Sequence, residues 1–245
     1  MEHQIKTRGI VLRRIDFGEA DQIVTVLTED QGKIALVAKG ARRLKSKFLG
    51  KLELLYEAEL NYFMGRELGH LNEAVSHILL DERDLDLKSR SLLFYMAETT
   101  HKLVAEEQEC QKIYHLLREA LMNFDTLSSE SIFYAYLVKL LTELGFMADW
   151  SRCSETSEKL DLNRPYFLST HDASLTTNVQ LSLSGTPLST SIIKWVNYTQ
   201  KNELPQLKNI RPSERERAEI FFILKSVMGT LLNHPFKSEA FMQSI

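Results

Sequence analysis

Over the first eighty or so residues, apolar positions come in short, β-branched runs separated by turn residues. Gly9 to Leu12, Gln22 to Leu27 and Lys33 to Ala38 have the length and side-chain types that strands favour. Thr28 to Gly32 divides the second run from the third, and Gly32 supplies the positive φ that a hairpin needs. From Tyr56 to Phe63 the pattern alternates, with Tyr56, Ala58, Leu60 and Tyr62 on one side and Glu57, Glu59 and Asn61 on the other. That is the pattern of a strand with one wet face, and Gly69 to Val75 predicts a fifth strand after it. Short strands in meander order suit a small closed barrel of the OB type, because closure removes exposed sheet edges.

After Asp86 the period becomes helical. Asp86 is placed to cap a helix bearing Leu92, Leu93, Tyr95, Met96 and Leu103; Ile113, Leu116, Leu117, Ala120, Leu121 and Phe124 repeat at helical spacing in the next. A third helix, Ile132 to Phe146, is apolar over a broad face and has Gly145 near its stop. Between Asp149 and Ser189 periodicity fades into a loop-rich stretch with at most a short hairpin near Tyr166 to Ser184. Helices resume from Ser189 to Lys201, and Ser213 with Glu216 makes the capping box of a last helix running to about Asn233. The expected fold class is therefore α+β: a five-stranded OB-type β-barrel over residues 1–82, then a helical domain over 83–245 with a loop-rich insertion at about 149–188.

An apolar fraction of 44% beside 26% charged residues fits a soluble globular chain and excludes the disordered and membrane classes. No apolar run reaches membrane-spanning length and no leader pattern opens the chain, so a cytoplasmic protein with no membrane partner is expected. Cys110 and Cys153 are too few for a disulfide framework and lack metal-ligand pairing. The seven histidines, His3, His70, His77, His101, His115, His171 and His234, are scattered singly. With no phosphate loop, nucleophile elbow or metalloprotease motif, the expectation is a protein without catalytic residues, metal or cofactor.

Charge distribution says more than the net charge of −3. Met1 to Lys51 holds eleven Lys or Arg against six acids, whereas Leu52 to Leu87 holds two against nine. Lys33, Lys39, Arg42, Arg43, Lys45, Lys47 and Lys51 place seven cations in nineteen residues with no acid among them. An uninterrupted run of one sign on a net-acidic chain points to an anionic partner. Leaving a strand through Gly40, it predicts a mobile loop in which Lys and Arg meet phosphates while Phe48 stacks on bases. Lys6, Arg8, Arg13 and Arg14 add charge on the first strand, and the acidic stretch predicts a two-faced barrel. Charge and a barrel do not separate DNA from RNA, and a protein-interaction scaffold that binds no nucleic acid is a further alternative.

Lys6 to Leu12, Gly18 to Thr28, Gly32-Lys33 and Ala38 to Arg43 resemble, in order and spacing, the N-terminal pattern of the bacterial RecO family of recombination mediators. The likeness is thinner through Leu140 to Phe146 and ends on Pro235 to Phe241, similar to that family's C-terminal Lys-Ser signature. The resemblance implies an OB-fold and a helical domain that bind single- and double-stranded DNA, anneal complementary strands and work without nucleotide hydrolysis. It also implies partnership with RecR and with the C-terminal tail of the single-strand binding protein SSB, helping RecA to load. An acidic, apolar tail requires an apolar groove rimmed by cations; Lys139, Lys194, Arg215 and Lys225 are the candidate rim residues, with nothing to choose among them. Many relatives carry a four-cysteine zinc site after the third helix, where this chain has only Cys153, so no zinc is expected. Trp150, Tyr166 and Phe167 are then the candidates to hold the insertion by packing.

Overall fold

The computed structural model describes residues 4–65, 68–106, 110–169 and 172–231. Its strands grow from the apolar runs and extend past them: β1 (Gln4–Phe17), β2 (Asp21–Thr28), β3 (Lys33–Ala38), β4 (Glu57–Phe63) and β5 (Gly69–His77). They close a barrel in the order β1-β2-β3-β5-β4. Neighbours are antiparallel except β3 and β5, which close the barrel in parallel at Leu36 beside Gly69 and Val37 beside His70. This is a five-stranded OB-type arrangement.

β1 pairs with β4 through Ile10 and with β2 from Gly9 onward, and a register shift between Val11 and Arg13 lets it bend from one ladder to the other. At the overlap Gly9 lies so close to β2 that a Cβ would run into the Val26 side chain. Inside the barrel Val11, Val24, Val26, Leu36, Leu60 and Tyr62 form one buried cluster. Gly32, with φ of 74°, turns the β2–β3 hairpin, and the Thr28 amide donates to its carbonyl at 2.9 Å.

Two helices pack on the barrel wall: α1 (Leu87–Leu103) on β1, and α2 (Gln111–Met122) on β1 and β2. Asp86 caps α1 by accepting the Ser89 amide at 2.7 Å. Glu59 stays exposed on the wet side of β4, but at the strand's first residue that side is covered, which overturns the expected exposure of Glu57. That carboxylate is only 3% exposed and accepts from the Tyr114 hydroxyl at 2.5 Å and the Arg118 guanidinium at 2.8 Å. Burial of its hydroxyl pushes the Tyr114 pKa above the usual phenol range, and the neighbouring Glu57 adds to the shift.

Lys33 is likewise built into the fold. It is 6% exposed, and its ammonium donates to the His101 carbonyl at 2.7 Å and the Val104 carbonyl at 2.5 Å. The last carbonyls of a helix have no partner within it, so a buried cation satisfies them and complements the helix dipole. Burial lowers the Lys33 pKa, and burial, helped by the nearby Lys33 charge, depresses His101 to about 4. Lys33→Met is expected to lower stability by about 2 kcal/mol, since it orphans two buried carbonyls; a thermal melt reads this as a fall of several degrees.

The described residues through Met122 form one compact unit and those from Asn123 another. Helical periodicity places a boundary after residue 82, whereas contacts group the first two helices with the barrel. In the second unit α3 (Ser129–Glu143) packs against α4 (Thr190–Lys201), α5 (Leu204–Leu207) and α6 (Glu214–Leu231). Gly145, with φ of 77°, follows the α3 stop, and Ser213 and Glu216 bond reciprocally at the start of α6. The insertion carries a small hairpin of β6 (Phe167–Leu168) and β7 (Leu175–Thr176). Trp150, Tyr166 and Phe167 are buried within this unit, and the Trp150 indole donates to the Ala173 carbonyl at 2.8 Å. The expected C-terminal signature at Pro235 to Phe241 lies outside the described residues.

Candidate nucleic-acid interface

The basic segment leaves β3 at Lys39 and runs as consecutive turns to Leu52, opened by Gly40 with φ of 67°. It is anchored rather than free. Ala41, Phe48 and Leu52 are buried in the barrel cluster, and the Arg42, Arg43, Ser46, Leu49 and Lys51 amides all donate to backbone carbonyls. Phe48, at 3% exposure, is therefore a core plug and not the base-stacking platform expected of it.

The β1–β2 turn is pinned against this segment. The Arg42 amide donates to the Ala20 carbonyl at 2.9 Å, and the Gly40 amide to the Asp21 carboxylate at 2.7 Å. Arg42 Nε also lies 3.4 Å from Asp16 Oδ2. Hairpin tip and basic turns thus make one surface, with Phe17 at the tip half exposed (50%) and Leu44 almost fully so (93%). The sequence pattern missed both; the signal available was an aromatic at the end of a strand and a leucine between two cations.

The predicted contact residues divide into two groups. Lys39, Arg43 and Lys45 are exposed and Lys51 half-buried, and none of the four has a carboxylate partner among the described residues. Lys47 joins them, its ammonium 3.3 Å from the Asn72 side-chain oxygen and 5.2 Å from the Phe48 ring centre. The others are already engaged. Arg8 pairs with Glu59 at 3.2 Å, Arg14 with Glu53 at 2.7 Å and Arg42 with Asp16, while Arg13 lies 3.4 Å from the His101 ring. Lys33 is the clear correction: buried under α1, it has no surface to offer a phosphate.

The four candidate rim cations of the helical part sit on three helices. Lys139 is partly buried on α3, Lys194 is exposed on α4, and Arg215 and Lys225 are exposed on α6. Only Lys194 among them lines the groove between α4 and residues 151–162.

A four-cysteine zinc site does not fit the residues present. Cys153 is a buried thiol and the insertion has no second cysteine. Among the described residues no three His, Cys, Asp or Glu side chains come together as ligands. Among them, too, no helix is long and apolar enough to cross a membrane.

Two family descriptions match the chain, "Recombination protein O N terminal" over residues 1–77 and "Recombination protein O C terminal" over 84–240. The chain is 28% identical to a DNA repair protein RecO of Thermoanaerobacter sp., with 98% of each chain covered. It is 28% identical to the DNA repair protein RecO of Dehalococcoides mccartyi over 94% of each, and 27% identical to that of Roseiflexus sp. over 98% of this chain and 85% of the relative. With the OB-type barrel and both matches in hand, the chain belongs to the recombination protein O family, and its role lies in DNA repair and recombination.

Proposed function

We propose that this protein is a non-enzymatic mediator that holds single- and double-stranded DNA on its barrel and anneals complementary strands. The observation that carries the reading is the cluster of Lys39, Arg43, Lys45, Lys47 and Lys51, cations on turns fixed to the barrel with no carboxylate partner among the described residues. Five such charges held by a rigid scaffold meet phosphates without ordering a loose loop first. Phe17 at the hairpin tip and Leu44 within the basic turns are exposed apolar contacts for bases, and cations with such contacts are the combination by which OB barrels hold single strands without reading sequence. Neutralising phosphates on two strands lowers their mutual repulsion, and annealing then needs only base pairing. No nucleotide hydrolysis is required.

In the same reading, the protein partners are RecR and the acidic C-terminal tail of SSB, and RecA loading is helped indirectly. Exposed cations of the second unit, including Arg215 on α6, support an acidic partner there.

Annealing is the test. The protein should accelerate pairing of complementary fluorescent strands, and a variant reversed at Arg43 and Lys45 should not; equal acceleration by both would reject the barrel surface. Matched RNA strands in the same assay separate a DNA mediator from an RNA-binding module. Phe17→Ala is expected to weaken oligonucleotide binding about tenfold, the loss of one stacked base, with an unchanged melting temperature. A melting shift without a binding loss would make Phe17 structural.

A further inference from the structure

A groove of about 590 Å³ runs along α4 in the second unit, opposite the insertion. On the helix side Lys194, Asn197, Tyr198 and Lys201 follow three-and-four spacing, so they share one face. The other wall carries Arg152, Lys159, Leu160 and Leu162. Its lining therefore holds four cations and no carboxylate.

The sequence hides this. Asp149 to Leu162 contains four acids and only two bases, and reads as an acidic loop. Folding sorts them: Asp149 accepts from Ser151, Glu155 from Thr177, and Asp161 pairs with Arg164, while Arg152 and Lys159 line the groove. None of the four cations has a carboxylate partner among the described residues. Arg152 donates to the Ser157 carbonyl at 2.7 Å and Lys201 to the Asn197 side-chain oxygen at 2.9 Å, contacts that aim the charges without neutralising them.

The groove is also preformed. Asn197 donates to the Trp150 carbonyl at 2.6 Å, and the Gln200 side chain donates to the Ala148 carbonyl at 2.8 Å and accepts the Trp150 amide at 3.0 Å. These bonds fix α4 to the start of the opposite wall. Between Lys194 and Lys201 stands Tyr198, 43% exposed, over a span of roughly 10 Å of helix. A cation, an aromatic and a cation in that order, with two more cations facing them, match phosphate, base and phosphate along an extended strand.

We propose that this groove is a second binding site for single-stranded nucleic acid, in which Tyr198 stacks a base and Arg152, Lys159, Lys194 and Lys201 hold the flanking phosphates. The site rests on residues of the second unit alone and stands or falls apart from the barrel surface. Two strand sites on one chain would let it hold two strands at once.

A short fluorescent oligothymidylate tests this on the full chain. With the barrel surface disabled by K39E/R43E/K45E, salt-dependent binding should remain. Adding K194E/K201E should weaken that residual binding at least tenfold, and adding Tyr198→Ala about tenfold, with Tyr198→Trp restoring it; melting curves should not move. No residual binding, or residual binding that K194E/K201E leaves unchanged, overturns the proposal. So does a fluorescent acidic peptide that binds the groove and is not displaced by the oligonucleotide, which would make it a protein-docking site. Failure of the barrel reading looks different: K39E/R43E/K45E would then leave the affinity of the otherwise unaltered protein intact.

Discussion

Reversing Lys39, Arg43 and Lys45 together to Glu is expected to weaken barrel binding of single-stranded DNA about a hundredfold and to flatten its salt dependence. Each reversal removes one attraction and adds one repulsion, and three such changes at exposed sites reach that size. The slope of log affinity against log salt should become less negative by about 2, since each single-strand phosphate contact contributes roughly 0.7. The choice of positions matters. All three side chains are exposed and have no carboxylate partner among the described residues, so their reversal leaves the core intact. Arg42 is left alone because its contacts to Asp16 and to the Glu19 and Ala20 carbonyls pin the hairpin tip. Fluorescence anisotropy at two salt concentrations reads both effects, and unchanged affinity at both would remove the barrel surface from the account.

Phe48→Ala should cost about 3–5 kcal/mol of stability, the usual range for emptying a buried phenylalanine site, and lower the melting temperature by roughly 10 °C. Phe48 sits in the barrel cluster with Ala41 and Leu52, the three buried side chains that hold the basic turns down. Its loss should therefore weaken DNA binding as well, indirectly, by loosening the surface that carries the cations. Phe48→Leu should recover most of both. A Phe48→Ala protein that melts normally but binds poorly would instead make Phe48 a stacking residue and the anchored surface an error.

Much of the barrel is legible in the sequence because period-two alternation and turn glycines are local signals. What is missing has physical reasons. Residues 13–17 of β1 are exposed and polar-rich, a hairpin extension held by its backbone ladder with β2, and no apolar pattern marks it. Glu57 reads as a wet-face residue because nothing local shows that α2 will cover it with Tyr114 and Arg118. Lys33 and Phe48 are read by residue type, a cation as a contact and an aromatic in a basic loop as a platform, and both are buried. α5 spans Leu204–Leu207, a single turn too short to show a period. Periodicity also finds α1 and α2 without saying which core they serve, and contacts group both with the barrel.

Of the candidate site, the cluster from Lys39 to Lys51 was visible as a charge run, but its division into engaged and unengaged cations was not. Arg8, Arg14 and Arg42 find acids from distant segments, Glu59, Glu53 and Asp16. Only folding shows which charges remain for a ligand.

The central claim is that the barrel's unengaged cations bind the nucleic-acid backbone, and an equilibrium titration of fluorescent single-stranded DNA over a range of salt tests it most directly. With Lys39, Arg43, Lys45, Lys47 and Lys51 each meeting a phosphate, log affinity should fall linearly with log salt with a slope of about −3.5 or steeper. Absent binding, or binding that does not change with salt, would contradict the account.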